Sequence, residues 1–407
     1  MSDQRIKERL FSLDAFRGIT IAAMVIVNDP GTWDAIYPPL KHAEWNGWTP
    51  TDLIFPFFLF IVGVSISLSL SKRLSSGKAD RSVYLKIIRR AALLFAIGVL
   101  LNALPLYDFT KHEWIDLSTL RIMGVLQRIA ICYLVSSFIF ILTDWRQQLT
   151  MSIGLLIIYW AAMSWIEVPE CLRTSVDLKP CNLAAYIDRL VLTTNHMWQE
   201  SKVFDPEGLL STIPAIVSTL TGVLTGTRLR SEPPASAGRQ FAGKLGDSRN
   251  RPAANAAGWD KSAAILVVGI LLIILGLIWD LWFPINKNLW TSSYVVFTTG
   301  AALIVLGIFY WLIDIKRFTA WAKPFIIFGV NAIALYIGSS VMDAYLGAII
   351  VGGDKENPIS LQSWIFNNWF LPWADPVNAS LAYACAFTLV WLFFMWLFYR
   401  KRIFIKL

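Results

Sequence analysis

The sequence is short of the residues on which soluble enzymes and metalloproteins depend. Only 16% of its 407 residues are charged, and it contains three histidines and four cysteines. No zinc-ligand spacing, phosphate-binding Walker loop, dinucleotide fingerprint or nucleophilic serine elbow stands out. Metal chemistry and nucleotide hydrolysis are therefore disfavoured, and no metal site is predicted.

Apolar and aromatic side chains are abundant instead. They make up 56% and 14% of the chain, which has 19 tryptophans and a mean hydropathy of +0.54. Such a composition is typical of a membrane protein, so the lipid bilayer is the expected surrounding. The net charge of +8 is then explained by basic cytoplasmic loops, and no nucleic-acid partner is predicted.

Apolar segments long enough to cross a bilayer as helices occur ten times. Most lysines and arginines fall in alternate loops, which places both termini in the cytoplasm. We therefore expect an all-α polytopic bundle of about ten transmembrane helices. The predicted spans are 10–29, 52–71, 87–105, 120–142, 148–167, 209–228, 262–283, 290–313, 324–350 and 378–399.

A segment rich in Pro, Gly, Ala and Ser, residues 229–261, separates six spans from four. Its composition predicts a flexible cytoplasmic linker without its own core. We expect the two groups of spans, about 10–228 and 262–399, to pack as one domain that covers 1–407.

Two cysteines, Cys171 and Cys181, fall in a single loop predicted on the oxidising side. A disulfide between them and two free thiols are equally open interpretations.

The stretch 42–56 brings the most reactive side chains to the mouth of a span. His42 could act as a general base near neutral pH, or it could only bond a carbonyl or cap the next helix. The nearby Glu44, Asn46 and Asp52 favour the first interpretation, because a carboxylate or amide can fix the imidazole tautomer. His112 and His196 have no comparable neighbours.

Ionisable residues inside spans usually serve a pathway or a partner. Asp14 and Arg17 share one helix face and could form an interfacial salt bridge, or Arg17 could receive a phosphate from the cytoplasm. Gln127 and Arg128 should face the bundle interior. Asn28 could donate to an oxyanion, or it could simply end the first helix before Pro30.

Two other outside segments carry carboxylate, amide and indole groups of the kind that bind sugars. They are 205–208, with Glu207, and 286–290, with Asn286, Lys287 and Asn288. On their own these motifs are weak, since Trp and Asn are common at membrane interfaces.

Taken together, these motifs resemble the heparan-α-glucosaminide N-acetyltransferase family over nearly the whole chain. The segments that carry the resemblance, in order, are 12–18, 27–28, 42–56, 124–128, 205–210 and 286–290.

The resemblance implies a multipass enzyme that moves acetyl from cytoplasmic acetyl-CoA to a terminal glucosamine amine across the membrane. His42 matches the family's catalytic histidine and Asn28 its associated asparagine. We assign Asp52 or Glu44 to orient the imidazole. The residues expected to hold CoA are Asp14, Arg17, Arg89, Arg90, Gln127 and Arg128, and those expected to hold the sugar are Trp45, Asn46, Glu207, Asn286, Lys287 and Asn288.

Other interpretations stay open at this point. An amino-sugar transporter or uptake factor would also bury polar groups among many spans, and a structural role is a third alternative. Direct acetyl transfer is preferred over an acetyl-histidine intermediate because it needs only one proton acceptor. A bacterial inner-membrane location and an acceptor other than heparan fit the short N-terminus, while a homodimer is left open.

Overall fold

A computed structural model of the chain describes residues 10–74, 80–109, 113–231, 251–354 and 357–405. The described part is mainly helical, as the sequence predicts. Its thirteen α-helices are α1 (Phe11–Asn28), α2 (Ile54–Leu74), α3 (Arg81–Asn102), α4 (Val125–Leu142), α5 (Trp145–Trp165), α6 (Leu183–Leu192), α7 (Thr212–Ser231), α8 (Arg251–Asp280), α9 (Ser292–Phe309), α10 (Lys323–Val330), α11 (Ala332–Ala348), α12 (Leu361–Ile365) and α13 (Pro376–Arg400).

Short elements decorate the helix ends. Antiparallel hairpins join β1 (Tyr107–Asp108) to β2 (Glu113–Trp114) and β3 (Ile350–Gly353) to β4 (Pro358–Ser360). A single 3₁₀ turn, Pro50–Leu53, leads directly into α2. Among the described residues, no side chain of these strands belongs to the buried core.

The core lies where α1, α2, α4, α7 and α9 meet. Backbones approach closely in it, because a Cβ atom on Gly63 of α2 would lie 1.9 Å from the Thr219 carbonyl oxygen of α7. On α7, a Cβ atom on Gly222 would lie 2.0 Å from the Phe60 oxygen. Small residues at such crossings are typical of helix packing in bilayers, where close contact replaces the hydrophobic effect.

The outer helices expose apolar side chains instead of burying them. Along α8, Leu271, Ile274 and Ile278 are all exposed, and Leu389 and Phe393 of α13 behave likewise. A continuous apolar exterior is the expected surface of a helix that faces lipid. The protein is therefore a multi-pass membrane protein.

The predicted number of ten spans is not confirmed. All ten predicted segments contain a helix, but seven helices of the described ranges are long and apolar enough to cross a membrane, or eight with the bent pair α10 and α11. Of the ten predicted segments, the two whose helices fall outside this count are those of α3, which begins with a cluster of Arg and Lys, and α7, which is rich in Thr. Helices α10 and α11 meet at an angle of 82°.

Two predicted boundaries also differ from the structure. Residues 120–124 are extended, so the fourth helix begins at Val125. The helices α7 and α8 occupy 229–231 and 251–261 of the predicted linker, and the rest of that linker lies outside the described residues. His112 lies outside them too.

The structure pairs Cys171 with Cys181 in a disulfide, which confirms the first of the two interpretations. The bridge closes a loop between α5 and α6 that packs against the segment carrying His42, as described below.

Candidate active site

His42 is positioned by a carboxylate that the start of α2 holds in place. Its Nδ1 lies 2.7 Å from Asp52 Oδ1. Asp52 belongs to the 3₁₀ turn, and its other oxygen accepts hydrogen bonds from the backbone N–H groups of Ala43 and Thr49. Thr49 completes a capping box with Asp52. The carboxylate is thus fixed by the same local interactions that begin the helix.

Exposure differs sharply between the two members of this pair. The side chain of Asp52 is 1% exposed, whereas that of His42 is 47% exposed. An ionised Asp52 accepts a hydrogen bond from Nδ1–H, so it selects the tautomer whose Nε2 carries the lone pair that can take a proton. Such a pair can serve as a base with a fixed orientation.

A distant segment closes over the histidine from the other side. Lys287 Nζ lies 3.1 Å from His42 Nε2 and 3.3 Å from Nδ1. The turn that presents Lys287 is held by Asn286, which is fully buried and accepts a hydrogen bond from the Leu289 N–H. The side chain of Asn286, which is predicted to bind the sugar, is therefore already hydrogen-bonded within the protein.

The turn of residues 286–290 ends at a buried indole. Trp290 is 0% exposed, has a left-handed backbone (φ 51°) and donates from Nε1 to Ser218 Oγ. The guanidinium of Arg128 lies 5.0 Å from its ring centroid. A cation over an indole is an attractive contact, and more so when both are buried.

Arg128 thus lies beneath the His42 segment and not at an exposed face. Its Nη2 donates to the Gly208 carbonyl and to Ser211 Oγ, while its Nε and Nη1 have no hydrogen-bond partner within the described ranges. Gln127 is 1% exposed. Both residues face the bundle interior, as the sequence predicts, and their contact with CoA stays a prediction.

Arg121 organises the acidic side of the site. Its guanidinium forms a two-point contact with Asp205, at 3.0 and 2.6 Å, and reaches Glu207 Oε2 at 2.6 Å. Forked contacts of this kind are the strongest ion pairs that arginine makes. Arg121 lies in the extended segment before α4. The observed helix therefore begins at Val125, later than the predicted start at residue 120.

Burial and charge shift the pKa values of these groups in both directions. Burial of Glu207 opposes its ionisation, but the charges of Arg121, Arg128 and Lys287 outweigh that effect and lower its pKa. Burial lowers the pKa of Lys287 although Glu207 and Asp52 act against the shift. Lys287 thus lies within electrostatic reach of both Glu207 and Asp52.

The disulfide loop fastens the other half of the His42 segment. Trp45 Nε1 donates to the Val176 carbonyl, and Asn46 Nδ2 donates to Asp177 at 2.7 Å. The Asn46 oxygen accepts from Asn286 Nδ2 at 3.1 Å. Trp45 and Asn46 therefore hold three chain segments together, in addition to any role in binding a sugar.

The remaining residues of the prediction occupy varied positions. Asn28 ends α1 with its side chain exposed, and in the described part of the chain its amide forms no hydrogen bond. Glu44 is exposed and forms none either, so Asp52 is the carboxylate in contact with His42. Asn288 is partly buried beside Lys287 in sequence.

The residues predicted for CoA do not form one group. Arg17 lies 3.5 Å from Asp14 and donates to Ser65 Oγ and to the Gly329 carbonyl. It lies about 16 Å along α1 from Asn28, from the helical rise of 1.5 Å per residue. On α3, Arg89 is exposed and Arg90 packs over the Tyr133 ring.

Three residues of the site were not proposed from the sequence: Arg121, Asp177 and Asp188. Asp188 is 2% exposed and accepts from the Leu209 N–H. Burial raises its pKa to about 7, and the nearby Asp205 adds to the shift. An arginine at the edge of a predicted span is a signal that could have identified Arg121, but nothing local marks the other two.

Comparison with known proteins gives a consistent result. Residues 9–232 match the family model described as heparan-alpha-glucosaminide N-acetyltransferase, catalytic. The chain is 34% identical to the heparan-alpha-glucosaminide N-acetyltransferase of Mus musculus and 33% identical to that of Homo sapiens, and each match covers 54% of this chain. It spans only 38% of the length of either relative.

The matched residues include His42, Asp52, Arg121 and Glu207, whereas Lys287 lies beyond them. Because the family model matches more than half of the chain, this protein belongs to the heparan-alpha-glucosaminide N-acetyltransferase catalytic family.

Proposed function

We propose that this protein is a membrane acetyltransferase. It moves acetyl from cytoplasmic acetyl-CoA to the amine of a terminal glucosamine, or a related amino sugar, on the extracytoplasmic side. Membership of the family and the names of the two relatives support the reaction class. The direction of transfer and the cofactor source rest on the predicted orientation of the spans.

The observation that carries this proposal is the geometry of His42. Its Nδ1 is held by the buried Asp52, while 47% of its side chain is exposed and its Nε2 has Lys287 Nζ as a neighbour at 3.1 Å. An amino sugar is an ammonium ion near neutral pH, and it must lose a proton before it can attack. A neutral imidazole with a fixed tautomer is suited to accept that proton.

The chemistry can be written as one transfer. His42 Nε2 takes the ammonium proton, and the freed amine attacks the thioester carbonyl to form the new C–N bond. The C–S bond then breaks, and the CoA thiolate takes that proton from His42. The new amide nitrogen still carries one extra proton, which it loses to water, so the net reaction releases one proton. Asn28, exposed at the end of α1, is the proposed hydrogen-bond donor to the oxyanion. Direct transfer remains our preferred route.

The donor would approach from the Arg17 end of α1. A thioester is already activated, so the protein mainly has to align it with the amine. We propose that Arg17 contacts a CoA phosphate, with Asp14 holding its guanidinium in place. Arg89 and Arg90 remain proposed as further basic residues along this path.

The acceptor would lie over His42, bordered by Glu207, Asn288 and the indole of Trp45. We also propose that the two helix groups form one acyltransferase domain, which the contact between His42 and Lys287 across the linker supports. A bacterial inner membrane is the proposed location.

The test is acetyl transfer by purified protein in detergent, with labelled acetyl-CoA and glucosamine. We expect His42→Ala to lower kcat by a factor of about 10²–10⁴, the usual contribution of a general base. Asp52→Asn should also lower kcat, because it loosens the imidazole. The matched control is Lys41→Ala, an exposed neighbour that should retain activity. Full turnover by His42→Ala would refute the proposed base.

A further inference from the structure

A lysine is in direct contact with the imidazole that we propose as the base. Lys287 Nζ lies 3.1 and 3.3 Å from the two ring nitrogens of His42. Both distances are within hydrogen-bond range, and because Nδ1–H donates to Asp52, the lone pair that can accept from the Lys287 amine is the one on Nε2. The contact joins residues 245 positions apart.

The charges around this contact balance in one protonation state. The six groups concerned are Arg121, Arg128 and Lys287 as cations and Asp52, Asp205 and Glu207 as anions. Their formal charges cancel when Lys287 is protonated and His42 is neutral. A proton on His42 would add one uncompensated charge beside Lys287.

Other charged groups near the loop do not alter this balance. Lys41 and Glu44, on the loop itself, have exposed side chains whose fields are screened by water. Asp177 is bound to Asn46. Asp188 is buried next to Gly208 and Leu209, and because burial raises its pKa to about 7, it is mostly protonated and adds no charge below that pH.

We propose that Lys287 is a positioning residue that keeps His42 neutral: its ammonium group opposes protonation of the imidazole, so that His42 is available as a base and readily gives its proton up again. The catalytic consequence rests on the proposed function. The electrostatic effect itself does not, since it follows from the contact alone.

This role differs from the sugar contact predicted from the sequence. An acceptor amine arrives as a cation, and the ammonium group of Lys287 would repel it at the point where it must meet His42. A cation in this place assists the base and not the binding of a cationic amine.

The first test measures the protonation of His42 directly. Diethyl pyrocarbonate acylates neutral imidazole, so the rate at which the His42 peptide is modified, followed by mass spectrometry across pH, reports its titration. We expect Lys287→Met to raise the midpoint by about one pH unit or more, the size typical of a charge within contact distance. Lys287→Arg should keep the midpoint of the wild type.

The matched control is Lys41→Met, which removes an exposed charge from the neighbouring position and should move the midpoint by no more than a few tenths of a unit. The His196 peptide in each sample serves as an internal reference for a folded protein, because its Nδ1 is bound to the Leu120 carbonyl. If Lys287→Met does not fold, Lys287→Gln removes the same charge. An unchanged midpoint in the neutral variants would overturn the proposal.

The second test joins the inference to catalysis. In Lys287→Met the acid limb of the kcat/KM profile should move to higher pH by the same amount as the titration of His42. A raised KM for glucosamine with an unmoved pH profile would make Lys287 an acceptor contact and refute the positioning role. A shifted titration in a protein that transfers no acetyl would retain the role of Lys287 and refute the proposed function.

Discussion

The two ends of helix α1 use charge in different ways. Beyond Asn28, four loops bring cations and carboxylates into mutual contact, and most of these groups are buried. Around Arg17, the partners are one carboxylate, a hydroxyl and a backbone carbonyl from three helices, and a quarter of the Arg17 side chain is exposed. One end is a closed network, and at the other the guanidinium of Arg17 keeps an accessible edge.

The difference shows what each arrangement is suited to do. A closed network fixes the direction and protonation of a side chain before substrate arrives, which is how preorganised sites stabilise a transition state. A partly exposed guanidinium can instead exchange its contacts for those of an incoming anion. The reaction that we propose needs both, because the base must be fixed while the CoA phosphates must enter and leave.

The largest expected effect breaks the closed network. Arg121→Met leaves Asp205 and Glu207 buried without their main partner, and removing one member of a buried ion pair typically costs about 3–5 kcal/mol. We expect a clear fall in the thermal unfolding midpoint in detergent together with loss of acetyl transfer. Arg121→Lys should recover part of the stability, because it restores the charge but not the fork.

The same substitution at an exposed position provides the control. Arg173→Met changes an exposed side chain in the disulfide loop and should alter stability by less than about 0.5 kcal/mol. Equal destabilisation by the two variants would show that the network adds no more than any surface arginine.

A smaller effect concerns Asp188, a buried carboxylate that is not among the six groups of the charge balance. The pKa of Asp188 is raised to about 7, so its ionisation costs the folded state progressively as pH rises from about 4 to 7. Asp188→Asn removes that cost and retains an oxygen for the Leu209 N–H. We expect it to stabilise the protein by about 2–4 kcal/mol at pH 8, at roughly 1.4 kcal/mol per pKa unit.

The size of this effect depends on pH. Well below pH 4 Asp188 is protonated in both the folded and the unfolded chain, so the gain should vanish there. Unfolding midpoints of both proteins, recorded from pH 4 to 8, measure it. Parallel curves would mean that Asp188 is ionised in the folded protein throughout.

The smallest expected effect concerns the Arg17 end of α1. Arg17→Gln should weaken the binding of CoA about tenfold, or about 1.4 kcal/mol, and leave the binding of pantetheine, which has no phosphate, unchanged. Isothermal titration of the detergent-solubilised protein with each compound makes the comparison. Arg173→Gln is the matched control. Equal affinity of Arg17→Gln and wild type for CoA would remove Arg17 from the donor site.

Much of the fold could be predicted from the sequence because the bilayer imposes a simple rule. Long apolar segments must be helical there, and each of the ten predicted segments does contain a helix. The number of spans was harder to predict, since the four basic residues of α3 and the threonines of α7 make a helix without making it strongly apolar. The 82° bend between α10 and α11 has no local signal as strong as a run of apolar residues.

Local chemistry determined part of the site in the same way. His42 and Asp52 are ten residues apart, and the Thr49–Asp52 capping box that begins α2 holds the carboxylate where the loop returns to it. The Cys171–Cys181 bridge was one of two interpretations of closely spaced cysteines, and the structure confirms it. Sequence neighbours of this kind can be paired because the chain between them is short.

Only the tertiary structure decided which distant groups meet. Lys287 reaches His42 across 245 residues, Arg121 reaches Asp205 across 84, and Asp177 reaches Asn46 across 131. Sequence alone identified the apolar segments, the His42 loop and the family. The partners of its charges depend on how the helices pack, because a buried ion is stable only where another element brings the opposite charge to it.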